Sequence, residues 1–353
     1  RNKMTKPVLI LDPDWRLMDE LFSDATRTAL FEGFDVVWGQ NGAIPNDALN
    51  AALPQAEILI AATPKVTAKT LAQAPNLRTI IEISGAFPDT IDYTACFEAG
   101  IEVLSCAPGF RQSVAEMGLA MALAGARGLV DQHEAFRRGE EHWLADRPDT
   151  DFSLYGADVG FIGFGQIAQE LTRLLGPFRP RIRAYDPWLP ASVAAEYGVE
   201  LAPLDDVLTQ SQCLFVAAAP TSENFHLLNA ERLALLKSNA LLIVLSRAHL
   251  VDFAALDAEL SSGRIRACLD VFPVEPVAKD APIRQAPSAI LSPHRAAAVD
   301  KGRQLIGYMI LNDLKAIASD VPTRMLSRAN EDTIEALAGV GDAKSVTDMA
   351  LNR

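Results

Sequence analysis

Short apolar runs alternate with helix-patterned stretches along most of this chain. In the first hundred residues the runs at 8–11, 34–37, 58–60, 79–83 and 102–104 have the length and branched composition of strands buried on both faces. Helical stretches are expected between them over 14–33, 46–53 and 67–74. This alternation predicts a parallel sheet covered by helices on both sides. A long helix, apolar on most of its faces, is expected from Ser113, where Ser113 and Glu116 have capping-box spacing. A second alternating series follows, with strands at 159–162, 182–185, 214–216, 241–245, 265–269 and 289–291. A helix over 296–318 leads away from it. The fold class expected is α/β: two Rossmann-like, doubly wound parallel-sheet lobes with a cleft between them. The polar end of the chain should hold a short helix over 331–338 and then a weakly ordered tail.

The pattern also places chemistry. Gly163, Gly165 and Ala168 stand in a Gly-x-Gly-x-x-Ala spacing between an apolar run and a helical stretch over 166–175. Asp186 closes the next run. Alone the glycine spacing is weak; strand before, helix after and acid about twenty residues on make it a dinucleotide fingerprint. Gly163 permits the tight turn, Gly165 lets a pyrophosphate approach, and Ala168 allows close helix packing. The helix start offers free amides and a positive dipole end to the pyrophosphate. Asp186 would accept the adenosine ribose hydroxyls and repel a 2′-phosphate, which favours NAD over NADP.

Further on come Arg247 after the run ending at 245, Asp270 after the run ending at 269, Glu275 between Pro273-x and Pro276, and His294 after Pro293. An imidazole exchanges protons near neutrality. A carboxylate held against it, as Glu275 could be, favours its charged form. Arg247 at the end of a buried strand calls for an anion, either a substrate carboxylate held in bidentate fashion or an internal partner such as Asp252 or Asp270. Asp270 is placed to bond a nicotinamide carboxamide.

Composition narrows the partners. The 353 residues carry a net charge of -13 with Lys and Arg scattered, which argues against nucleic acid or an anionic membrane surface as partner. No run of eighteen apolar residues occurs, and the N-terminal stretch has no apolar signal segment. The four cysteines, Cys96, Cys106, Cys213 and Cys268, form no CxxC pair and no metal-ligand cluster. They read as reduced core residues, with no metal and a cytoplasmic setting expected.

These motifs, in this order, resemble the D-isomer-specific 2-hydroxyacid dehydrogenases over residues 8–325. The resemblance implies that Arg247, Glu275 and His294 are catalytic. It implies NAD contacts from Gly163, Gly165, Gln166, Ile167, Asp186, Ala219, Pro220, Leu245, Ser246, Arg247, Asp270, His294 and Ala296. It also implies a glycine-rich turn at Ser84, Gly85 and Ala86 whose amides hold the substrate carboxylate together with Arg247. Residues 1–106, completed by 298–329, would form the substrate lobe, 107–297 the NAD-binding domain, and 330–353 a tail. The helix over 114–129 and the arm over 136–143 resemble the family's homodimer contact.

Several positions depart from the family pattern. Ala86 replaces a common glycine, and Phe87-Pro88 follows it. Arg111 and Gln112 are unusually polar, whether they face the cleft or start a solvated helix. Ala248, Arg295 and the alanines after it add bulk beside the expected site. These departures bear on which acid is used, not on the reaction. The loop over 61–65 has only Lys65 as a basic residue, so a small acid such as glyoxylate or hydroxypyruvate is favoured over phosphoglycerate. A formate dehydrogenase would carry glutamine at Glu275. The rival class is an NADH-sensing regulator on the same fold that binds without turnover.

Overall fold

The computed structural model describes residues 6–144 and 151–337. The chain divides into two compact units, residues 1–110 with 299–353, and residues 111–298.

The first unit holds five parallel strands, β1 (Val8–Asp12), β2 (Asp35–Trp38), β3 (Ile58–Ala61), β4 (Thr79–Glu82) and β5 (Glu102–Ser105), in the order 5-4-3-1-2. Strand periodicity divides its core. Leu9 and Leu11 pack with Ile306, Met309 and Ile310 of the helix Gln304–Ala318, whereas Ile10 faces Ile80 and Val103 on the opposite side. The stretch expected as one helix over 14–33 is broken. Phe22 is extended, and Ser23 caps a new helix, Asp24–Gly33, by accepting the Thr26 amide.

The second unit is built on β6 (Asp158–Ile162), β7 (Arg181–Tyr185), β8 (Glu200–Leu201), β9 (Cys213–Val216), β10 (Leu241–Val244), β11 (Arg266–Leu269) and β12 (Ala289–Leu291), all parallel, in the order 12-11-10-9-6-7-8. The order reverses beside β6, the position at which such sheets bind ligands beyond their strand C-termini. The helix Arg111–Ala126 lies close on this sheet because Gly118 and Gly125 have no side chains. A Cβ at Gly118 would come within 2.8 Å of Leu245, and one at Gly125 within 2.8 Å of Leu241. The last strand, β13 (Ser327–Arg328), returns to the first unit and pairs antiparallel with β5.

Three more expectations are corrected. Ser113 is not a cap: the single turn Ala107–Phe110 feeds directly into a helix that starts at Arg111, which leaves Ser113 buried inside it. That helix does not continue through 129, because Gly128, at φ +57°, breaks it before Leu129–Arg138. The helix expected from 296 begins only at Gln304, since the amides of Arg295 and Ala296 are held by Asp270. The two-residue edge strands β8 and β13 are too short to show in a periodicity. The short helix near the end spans Glu331–Leu337, and the tail beyond it lies outside the described residues. Among the described residues no single helix is long and apolar enough to cross a membrane, and no group of three side chains is arranged to hold a metal.

All four cysteines are free and buried. Burial pushes the Cys96 thiol up to about 11 and the Cys268 thiol to about 12, far from the thiolate a reagent needs. The native protein should therefore release no thiol equivalents to a disulfide reagent near neutral pH, and all four after unfolding. Rapid stoichiometric labelling of any one in the native state would contradict this core.

Candidate active site

Every strand of the second unit runs the same way, so the loops at their C-terminal ends share one edge. Six such loops carry the residues singled out from the sequence. After β6, Gly163 adopts φ +81°, and a Cβ there would sit 2.4 Å from the Ala218 backbone. Only glycine fits this turn. Gly165 caps the helix Gln166–Leu175. A Cβ on it would meet nothing within 4 Å. The space above that glycine is open, the helix has no side-chain cap, and no acid stands in its first turn. The amides of Gln166 and Ile167 at this helix start fit an anion such as a pyrophosphate. Ala168 is fully buried against the sheet.

Asp186, after β7, ties the glycine turn to its own loop. Its Oδ2 accepts the Phe164 amide at 2.9 Å, and its Oδ1 accepts the amides of Trp188 and Leu189, both at 3.1 Å. Oδ2 keeps a free lone pair for a ribose hydroxyl. The nearby arginines are committed elsewhere. Arg181 makes a two-pronged contact with Asp158, and Arg183 pairs with Asp158 and Glu200. Neither is left over for a 2′-phosphate.

After β9, Ala219 and Pro220 open a loop organised by side chains the sequence did not single out. Asn224 donates to the Ala219 carbonyl and accepts the Thr221 amide, both at 2.8 Å. The His249 ring Nε2 meets the Thr221 carbonyl at 2.8 Å, which fastens this loop to the one after β10. Leu245 and Ser246 follow β10, with the Ser246 hydroxyl on the Val216 carbonyl at 3.2 Å. Arg247 is half-buried. Its Nη1 donates to the Ser246 carbonyl at 2.8 Å, and it forms no ion pair among the described residues, neither with Asp252, which caps the helix Phe253–Ser261, nor with Asp270. A half-buried guanidinium without a carboxylate suits an anionic ligand.

The loops after β11 and β12 form one construction. Asp270 is fully buried; its Oδ1 accepts the Arg295 amide at 2.8 Å and its Oδ2 the Ala296 amide at 2.9 Å. Its carbonyl accepts the His294 amide at 2.8 Å. Asp270 thus holds this turn from beneath, with one amide on each carboxylate oxygen. His294 sits at φ +50°, a conformation that costs a non-glycine residue about 1–2 kcal/mol. Its Nδ1 lies 2.7 Å from Glu275 Oε2, and Glu275 Oε1 accepts the Phe272 amide at 2.8 Å. Glu275 is thereby fixed on one side by backbone and on the other by the ring. The imidazole is partly exposed and its other nitrogen is left for a ligand.

In the first unit, Ser84, Gly85 and Ala86 follow β4, and their amides are engaged. All three donate to the carboxylate of Glu82, Ser84 at 2.5 Å and Gly85 and Ala86 at 2.9 Å. Burial pushes the Glu82 carboxyl above the ordinary range, and these donors draw it part of the way back. These amides, which the resemblance assigns to a substrate carboxylate, donate to an internal carboxylate in this structure. An acidic residue inside an otherwise apolar strand run was the signal available in the sequence.

Comparisons with known proteins identify the family. Residues 119–296 match the model of the D-isomer specific 2-hydroxyacid dehydrogenase NAD-binding domain. A D-3-phosphoglycerate dehydrogenase of Methanocaldococcus jannaschii is 32% identical over 255 residues, 72% of this chain and 48% of that protein. The chain thus spans about half the length of that relative. A glyoxylate reductase of Pyrococcus horikoshii is 29% identical over 85% of this chain and 91% of its own length. Among solved structures, a phosphoglycerate oxidoreductase from Rhizobium etli superposes with a TM-score of 0.81 at 39% identity, covering 92% of this chain and 99% of that one. The cofactor cradle makes a sharp prediction. Gly165→Ala should leave the unfolding midpoint within about 1 °C, since a cap glycine contributes only tenths of a kcal/mol, yet weaken NADH binding at least about tenfold. Unchanged affinity by fluorescence titration would remove Gly165 from the cradle. The second unit is an NAD-binding domain, and the chain belongs to the D-isomer-specific 2-hydroxyacid dehydrogenase family.

Proposed function

We propose that this chain is an NAD-dependent oxidoreductase that interconverts a D-2-hydroxy acid and its 2-keto acid. The observation that carries the proposal is the His294–Glu275 pair at 2.7 Å, set on the same sheet edge as the glycine cradle. When bound, the nicotinamide supplies or takes up the hydride at the substrate carbon. The protein's own residues handle charge and protons. His294 gives its proton to the keto oxygen during reduction and takes one from the hydroxyl during oxidation. Glu275 fixes the ring's orientation through Nδ1 and leaves the other nitrogen toward the substrate. Arg247 holds the substrate carboxylate and turns the carbonyl toward His294. Asp186 accepts the ribose hydroxyls, while Ala219, Pro220, Leu245, Ser246 and Ala296 line the cofactor. The commitment of Arg181 and Arg183 to carboxylates favours NAD over NADP.

A small acid, glyoxylate or hydroxypyruvate, is the proposed substrate. Lys65 is the one basic residue in the loop after β3, which argues against a phosphorylated acid. The names of the relatives include both kinds, so phosphoglycerate is the alternative. We further propose a cytoplasmic homodimer with no nucleic-acid or membrane partner. The support is the buried free thiols, the acidic charge and an exposed apolar series in the second unit: Leu129, Phe136, Trp143 and Leu144 are all more than half exposed.

The test is NADH oxidation with a panel of 2-keto acids. Turnover should be confined to one or two small acids and be faster with NADH than NADPH. His294→Ala should lower kcat by about 10²–10⁴ with NADH affinity kept. Arg247→Gln should raise KM for the acid about 10- to 100-fold, the worth of a charged hydrogen bond. Intact NADH binding with no turnover on any acid would instead favour a cofactor-sensing regulator.

A further inference from the structure

Glu82 closes β4 at a place where every neighbouring residue of the strand is apolar or a buried threonine, and it is itself fully buried. It has five donors and no ion pair among the described residues. Oε1 accepts the amide and the hydroxyl of Ser84; Oε2 accepts the amides of Gly85 and Ala86 at 2.9 Å and the Ser105 hydroxyl at 3.2 Å. Three successive amides that turn inward make a concave anion site. Gly85 gives the turn its curl at φ +94°, and a Cβ there would overlap the Phe110 ring at 2.5 Å, so the turn is pinned from the other side as well. A cradle of this kind is complete only with a carboxylate in it.

We infer that Glu82 is a built-in anion that determines specificity: it fills, from within the chain, the amide cradle of Ser84–Ala86 and so denies it to the carboxylate of a substrate. Each amide has one hydrogen to give, and each is spent on Glu82. A substrate carboxylate could take those hydrogens only by leaving Glu82 buried with the hydroxyls of Ser84 and Ser105 alone, an exchange that favours Glu82. The acid must then be held by a guanidinium rather than by this turn. The specificity role rests on the proposed reaction with 2-keto acids; the occupancy of the cradle does not.

The test empties the cradle. Glu82→Ala leaves three amides and two hydroxyls around a carboxylate-sized space. Its unfolding midpoint, measured without cofactor, should lie roughly 5 °C or more below the parent's and rise again with formate at constant ionic strength, by mass action on the folded state. The parent and Glu82→Gln, whose cradles are filled, should not respond to the same formate. Pyruvate should rescue Glu82→Ala as formate does, because the emptied turn can then take the carboxylate of a 2-keto acid. If Glu82→Ala does not fold alone, the readout becomes refolding yield with and without formate. Absence of rescue, or an equal response in the parent, would overturn the built-in anion. Rescue by formate but not pyruvate would overturn the specificity role. Because no turnover enters the readout, failure of the proposed activity is separately visible.

Discussion

Asp270 has no exposed surface, and three consecutive amides, those of His294, Arg295 and Ala296, converge on it through its carbonyl and its two carboxylate oxygens. A buried carboxylate without partners is costly, and so are buried amides without acceptors. The turn therefore has one arrangement in which both are satisfied. That arrangement holds His294 at φ +50°, a conformation it would not keep without such anchoring. Glu275 then meets the ring from a loop whose own amide, that of Phe272, fixes the other carboxylate oxygen. The His294–Glu275 pair is built by backbone bonds at the ends of β11 and β12, with Asp270 holding the turn beneath it.

The same logic recurs in both sheets. Asp186 gathers the amides of Phe164, Trp188 and Leu189, and Glu82 those of Ser84, Gly85 and Ala86. Each carboxylate stands at or just past a strand's C-terminal end, where the amides of the following loop have no ladder to join. In the second unit this shapes the loops that surround the cofactor cradle. In the first it closes a cradle from within. Identical local chemistry thus opens one site and fills another, and the difference lies in whether the chain supplies the anion.

Much of this was legible in the sequence because it is local. The glycine spacing fixes its turn within six residues, and alternating apolar runs mark strands buried on both faces. The order of Arg247, Glu275 and His294 marked the candidate chemistry, since each follows a strand that periodicity had already located. What was not legible depends on contacts that periodicity does not encode. The bonds from Asp270 to the amides of residues 295 and 296 join two loops 25 residues apart and leave no mark in the local pattern. The break at Phe22 and Ser23 was hidden by continuous helix-compatible pattern, and Gly128 inside an apolar helix gave no sign that it would turn left-handed. The Asn224, Thr221 and His249 network appears only when the loops after β9 and β10 are side by side.

The central claim is that His294 and Glu275 act as one unit whose geometry the turn beneath them sets. A double-mutant cycle on kcat/KM, with His294→Ala, Glu275→Gln and the pair, tests it most directly. The account predicts strong non-additivity: once the imidazole is gone, removing the Glu275 carboxylate should cost no more than about twofold. Additive losses, with Glu275→Gln as damaging without His294 as with it, would mean that the two residues act separately and that the 2.7 Å contact is not the basis of the chemistry.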